Sequence, residues 1–200
     1  MKQILMTLIL VGVMSPAGLY AQKVYKNANN RLILDLTVSA GMPKDAITTT
    51  GKTWIGTPSN TIGPLENNTE KGTINATVYQ KLEVAPHDMN TAGLFSKTGT
   101  FTMDWVTAFN GCKSSTHGGG NWRLPTQREL MLIQIFRPAL ESILKDSAIN
   151  GTAFSNANYW TATESSNGTM NYSVNFTYGN TASNSKMNTN RVRCVREIVD

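Results

Sequence analysis

The stretch Asn121-Trp-Arg-Leu-Pro-Thr-Gln-Arg-Glu-Leu130 limits the possible folds more than any other part of the chain. Thr126 and Glu129 have the spacing of a capping box. The threonine hydroxyl can accept from the backbone N–H of Glu129 while the glutamate carboxylate reaches back to the N–H of Thr126. A helix therefore starts at Thr126. Met131, Leu132, Ile133, Ile135 and Phe136 follow, apolar on nearly every side, which predicts a buried helix. Pro138 ends or kinks it, and residues 139–144 predict a short second helix. Trp122, Arg123, Leu124 and Pro125 precede the cap and are expected to anchor the loop before them, residues 114–120, against the fold. Gly118, Gly119 and Gly120 invite a phosphate-loop assignment, but no Lys-Ser/Thr pair follows spaced glycines there, so a turn is expected.

Phe101, Trp105, Ala108, Phe109 and Cys112 recur at helical spacing upstream. They predict an earlier helix with Thr102 as its N-cap, Gly111 at its end and Cys112 facing the core. Period-two patterns predict strands at 32–38, at Ile74, Ala76 and Val78, and at Leu82 and Val84. Further strands are expected at Tyr159–Thr161 and Val192–Ile198. Another is expected where Met170, Tyr172, Val174, Phe176 and Tyr178 alternate with Asn171, Ser173, Asn175 and Thr177. Residues 39–73, rich in Gly, Pro, Thr and Asn, read as an irregular excursion. The expected organisation is a β-rich N-terminal extension over 22–90, joined through Pro86–Asn90 to an α+β domain over 91–200.

Residues 1–21 have the three parts of a secretory signal: Lys2, the apolar run Ile4–Val13, and small residues up to Ala21. Nothing after residue 22 is long and apolar enough to span a bilayer. Export to the periplasm, the outer-membrane surface or the medium is expected, and in that setting Cys112 and Cys194 predict a disulfide in preference to a metal site or redox pair. The net charge of +5 comes from scattered basic residues. The densest cluster is Arg191, Arg193 and Arg196, which suits structural pairing as well as anion binding. No basic stripe is interleaved with exposed aromatics, so nucleic acid is not an expected partner.

From Asn150 to Asn190 the chain is dominated by Asn, Ser, Thr and Tyr, a composition suited to adaptable hydrogen bonding. Asn156, Asn158, Asn171, Ser173, Asn175, Asn180, Asn184 and Asn188 are the candidate ligand-binding residues. Tyr159 or Trp160 would stack on a sugar ring if exposed, although core packing is favoured for Trp160. No catalytic residue, cofactor or metal is predicted. His87 and His117 alone could act as general bases near neutral pH. Both are expected to be solvent-exposed, and no nucleophile-elbow motif accompanies them.

Trp122-Arg-Leu-Pro-Thr126 with Glu129-Leu130, Tyr159-Trp-Thr-Ala-Thr-Glu164 and Val192-Arg-Cys194-Val-Arg196 occur in the order found in the Lcl C-terminal domain family, which the chain resembles over about residues 100–198. The resemblance implies a C-type-lectin-like fold, with two main helices packed on a twisted, mostly antiparallel sheet. It also implies a non-catalytic binding or adhesion role toward a glycan or extracellular protein. The alternative is a structural subunit of a surface fibre. The Glu-Pro-Asn, Gln-Pro-Asp and Trp-Asn-Asp motifs of calcium-dependent lectins do not occur, so no calcium site is implied. Asp146-Ser147-Ala148 also resembles the acceptor triplet of a bacterial O-glycosylation system.

Overall fold

The computed structural model describes residues 23–36, 81–164 and 169–198. The expected leader over 1–21, the excursion over 39–73 and the strand at Ile74–Val78 lie outside them. Strands β1 (Lys23–Lys26), β2 (Leu32–Asp35), β3 (Lys81–Val84) and β9 (Val195–Glu197) form a four-stranded antiparallel sheet in the order β1-β2-β3-β9. A second sheet has the order β4-β8-β5-β6-β7, built from β4 (Thr102–Met103), β5 (Asn158–Glu164), β6 (Met170–Asn175), β7 (Thr181–Ser185) and β8 (Asn190–Arg191). It is antiparallel except where β5 meets β8. Helices α1 (Trp105–Ser114), α2 (Gln127–Ile135) and α3 (Arg137–Leu144) complete an α+β architecture.

The capping box forms as expected. Thr126 Oγ1 accepts from Glu129 N at 3.2 Å, and Glu129 Oε2 accepts from Thr126 N at 2.8 Å. The sequence gives no hint that the same carboxylate is also gripped by Arg123, whose two terminal nitrogens donate to Oε2 and Oε1 at 2.7 and 2.8 Å. Arg123 itself bridges β9, exchanging backbone hydrogen bonds with Val195 at 2.9 Å each way. One residue thus fixes the start of α2 against the last strand.

Several local expectations are corrected. Asp104, not Thr102, caps α1, because its carboxylate accepts from both the N–H and the hydroxyl of Thr107 while Thr102 is held in β4 opposite Arg191. Gly111 does not end that helix, which continues to Ser114. The glycine serves close packing, since a Cβ there would lie 2.5 Å from the Met89 side chain. Helix α2 is not buried all round: Leu130 and Ile133 face the core, whereas Ile135 is 66% exposed. The expected strand 192–198 is shorter, β9 alone at Val195–Glu197, and β8 precedes it at Asn190–Arg191. Between β8 and β9, Arg193 turns inward to Asp88 and Cys194 bonds to Cys112.

That disulfide joins the buried end of α1 to the C-terminal segment across a sequence separation of 82. Loop closure of that length stabilises a chain by about 4–5 kcal/mol in the entropy model. The expected boundary near residue 90 is not a break in packing. Leu32, Leu34, Leu82 and Val84 share one buried cluster with Leu130 and Ile133 of α2 and with Val195 of β9.

Breaking the Arg123–Glu129 pair should be among the most damaging single changes. Glu129→Gln leaves the guanidinium buried against a neutral amide, and a loss of about 3–5 kcal/mol is expected in urea denaturation. A cost below about 1 kcal/mol would show that the pair is not a structural anchor.

Candidate functional site

A cleft of about 680 Å³ opens between the β1–β2 turn and the glycine-rich loop. On one side, the Asn27 carboxamide oxygen accepts from the N–H groups of Asn29 and Arg31, and Asn30 takes a left-handed conformation at φ 57°. This tight turn presents Asn29, Asn30 and Arg31 to the cleft. Asparagine suits the left-handed position because its short side chain tolerates it better than a branched one would.

The opposite wall is the short 3-10 turn His117–Gly119. Gly118, Gly119 and Gly120 all have positive φ, which explains why the sequence needs glycine at each. The turn is clamped from below. Arg196 Nη1 donates to the carbonyls of Gly118 and Gly120 at 2.9 Å each, and Trp122 Nε1 donates to the His117 carbonyl at 2.7 Å. The Arg196 guanidinium lies 4.7 Å from the centre of the Trp122 ring, and Phe95 packs edge-on against both Trp122 and His117. The anchoring role expected for Trp122 is thus a specific hydrogen bond plus an aromatic stack.

The floor is charged and largely committed. Glu83 is buried and accepts from Arg196 Nε at 2.7 Å, with Arg31 Nη1 3.5 Å away. His87 is half-buried rather than solvent-exposed, and its Nδ1 is buried without a hydrogen-bond partner. Burial holds its pKa below the ordinary value, reinforced by the positive charges of Arg193, Lys97 and His117 and opposed by Asp88. Ala148 and Ile149 close one end of the cleft. The neighbouring Ser147 is exposed, and Asp146 is held by Lys26 Nζ at 2.6 Å and by the Ala148 N–H.

The three C-terminal arginines are structural. Arg191 and Arg193 both donate to Asp88, which also accepts from the Tyr159 hydroxyl, and Arg196 pairs with Glu83. Arg193 further donates to the Ala85 and Thr152 carbonyls. Among the described residues, no group of three His, Cys, Asp or Glu side chains is placed to hold a metal ion.

None of the asparagine-rich candidates lines the cleft. Asn171 and Ser173 are fully buried and have no solvent face to offer a ligand. Asn171 donates to the Thr161 carbonyl, beside the register shift between Trp160 and Glu164 of β5, and Ser173 accepts from Asn184. Asn175 donates to Asn158 and closes the following turn by accepting from Thr177 and Tyr178, while Asn156 accepts from Arg137. Asn180 and Asn188 are exposed. Tyr159 and Trp160 are core residues, so neither can stack on a ligand; the Trp160 indole donates to the Met103 carbonyl. Sequence reasoning missed Asn29, Asn30, Arg31 and Phe95, and it treated His117 and its glycines only as a turn.

The model of the Lcl C-terminal domain matches residues 48–196. The chain belongs to the Lcl C-terminal domain family. The match begins well before residue 91, in keeping with the way β3 pairs with β9 inside one sheet. A comparison with curated proteins found no match. The buried disulfide and a surface-protein family are consistent with an exported Lcl-domain protein. Among the described residues, no helix is long and apolar enough to cross a membrane.

Beside the anchor, burial pushes the Glu197 carboxyl up to about 7; Arg123 opposes the rise and Glu129 adds to it. Below the ordinary value of 4.5 the group is protonated in both folded and unfolded chains. Between 4.5 and 7 the unfolded chain ionises first, so stability falls as pH rises through this window and levels off above it. The Lcl-domain protein should therefore lose about 1 kcal/mol from this group between pH 5 and pH 8, allowing for its partial solvation. Glu197→Gln should remove that share in paired urea titrations, and an unchanged pH difference in the variant would refute the assignment.

Proposed function

We propose that this Lcl-domain protein is an exported, non-catalytic binding module that receives a glycan or a segment of an extracellular protein in the cleft beside the glycine-rich turn. Its site of action on this reading is the periplasm, the outer-membrane surface or the medium. A C-type-lectin-like relationship of the fold is part of the proposal. Its support is the pairing of β3 with β9, which sets the last strand beside one from far upstream in the same sheet.

The observation that carries the reading is the cleft itself. Its volume falls within the range of about 300–1,000 Å³ typical of small-ligand sites. Its rim offers amide and guanidinium donors from Asn29, Asn30 and Arg31, and its wall offers the Phe95 and His117 rings. A sugar ring suits that combination, because hydroxyls can take the polar groups while an apolar ring face packs on an aromatic edge.

Binding fits the local chemistry better than catalysis. The Ser114 hydroxyl donates to the Gly111 carbonyl within the last turn of α1, and the Ser115 hydroxyl accepts from the His117 N–H, so both serve the backbone. His117 packs against Phe95 and Trp122 instead of being oriented by a carboxylate as a general base would be.

A screen of immobilised glycans and matrix proteins against the exported chain tests the proposal. Phe95→Ala and Arg31→Ala should each weaken the detected binding by about tenfold, the equivalent of one good contact, while Asn180→Ala and Asn188→Ala leave it unchanged. Binding that survives both cleft substitutions, or that the asparagine substitutions abolish, would move the site back to the asparagine-rich strands.

A further inference from the structure

β7 is the outer strand of the five-stranded sheet, and among the described residues no strand pairs with its far side. The ladder shows which backbone groups that side presents. Asn175 N donates to the Asn180 carbonyl, and Lys186 N donates to the Thr169 carbonyl. Both pairs continue the β6–β7 register, in which Ser173 faces Ala182 and Asn171 faces Asn184. Hydrogen-bonded and non-hydrogen-bonded pairs alternate along an antiparallel ladder. Ala182 and Asn184 therefore direct their backbone groups at β6, while Thr181, Ser183 and Ser185 direct theirs outward.

Nothing on this edge discourages pairing. Natural edge strands are usually blunted by charged side chains, proline or a β-bulge. Thr181-Ala-Ser-Asn-Ser185 contains no charge and no proline, and its register with β6 is unbroken. Just beyond its two ends stand two of the most exposed large apolar side chains, Tyr178 at 82% and Met187 at 69%.

We propose that this edge joins two copies of the chain, β7 against β7, antiparallel and centred on Ser183. In that register Ser183 faces Ser183 of the second copy, and Thr181 faces Ser185. Every outward-directed residue then falls in a hydrogen-bonded pair. The Ser185 carbonyl, which already accepts from Asn188 N, has a second lone pair for the new bond. Tyr178 and Met187 lie in the turns flanking β7, so the same two-fold sets an exposed apolar residue of each copy at both ends of the joined edge. This self-complementarity is the signature of an isologous interface. It selects a second copy over a foreign strand, which would need no apolar residue at both ends. The inference does not depend on the cleft.

Sedimentation equilibrium of the chain from Gln22 onward should show a reversible dimer. Ser183→Pro removes the central outward N–H without touching the bonds to β6, and proline is tolerated on an edge strand. It should weaken the dimer at least about tenfold with an unchanged circular dichroism spectrum. Ser183→Lys, which sets like charges opposite each other at the axis, should do the same and serves if the proline variant fails to fold. Ser183→Cys should form a disulfide-linked dimer on non-reducing gels, because directly opposed hydrogen-bonded residues lie about 5.5 Å apart, within disulfide reach. Asn156→Cys, exposed elsewhere, should not. A chain that stays monomeric at all concentrations, or a dimer indifferent to both Ser183→Pro and Ser183→Lys, would overturn the proposal.

Discussion

The fold hangs on the carboxylate of Glu129. Burying an unpaired carboxylate would cost several kcal/mol, yet this one is completely enclosed. It is satisfied by three donors: both terminal nitrogens of Arg123 and the backbone N–H of Thr126. Arg123 can supply the counter-charge only because its backbone is bridged to Val195. The start of α2, the loop before it and the last strand are therefore mutually conditional. Such a pair adds little net stability over a hydrophobic replacement, and its value lies in allowing one arrangement of the three segments.

The C-terminal segment repeats this logic. Residues 190–197 contribute β8 to one sheet and β9 to the other, so this stretch is the seam of the molecule. Its side chains alternate between apolar anchors and arginines that reach back about a hundred residues in sequence, Arg191 and Arg193 to Asp88 and Arg196 to Glu83. Cys194 adds a covalent tie to α1 at the same seam. A segment that closes last in sequence thus carries the contacts of longest range, which makes the two sheets depend on each other.

Legibility in the sequence follows the range of each interaction. The capping box spans four residues and is fully readable; the helices and β2, β3, β5, β6 and β9 are located with shifted bounds, whereas β1, β4, β7 and β8 are not foreseen. The strand at Met170 is located correctly, but its faces are not. Alternation identifies a wet face only where one face is solvated, and β6 is covered on both: Val174 and Phe176 sit in the core, and Asn171 and Ser173 on the opposite face are buried as well. Asn171 is buried where β5 shifts register, and its carboxamide donates to the Thr161 carbonyl alongside the Trp105 indole, an arrangement no local pattern reveals. The cleft was invisible for the same reason. Arg31, Glu83, His87, Phe95 and His117 share no spacing, and only the glycines beside His117 hinted that the backbone there does something unusual.

Those glycines link the structural anchor to the cleft. Three consecutive positive-φ residues would ordinarily be among the most mobile in a chain. Here the carbonyls of Gly118 and Gly120 are held by the guanidinium of Arg196, itself fixed by Glu83 below and Trp122 alongside. A side chain at Gly118 would also crowd the clamp, since a Cβ there would approach Arg196 to 3.1 Å. The conformational entropy of the loop is thus removed during folding, before any ligand arrives. A cleft wall ordered in advance costs a ligand little on binding. On the proposed binding role, Arg196 under the loop therefore matters as much as any residue on the rim.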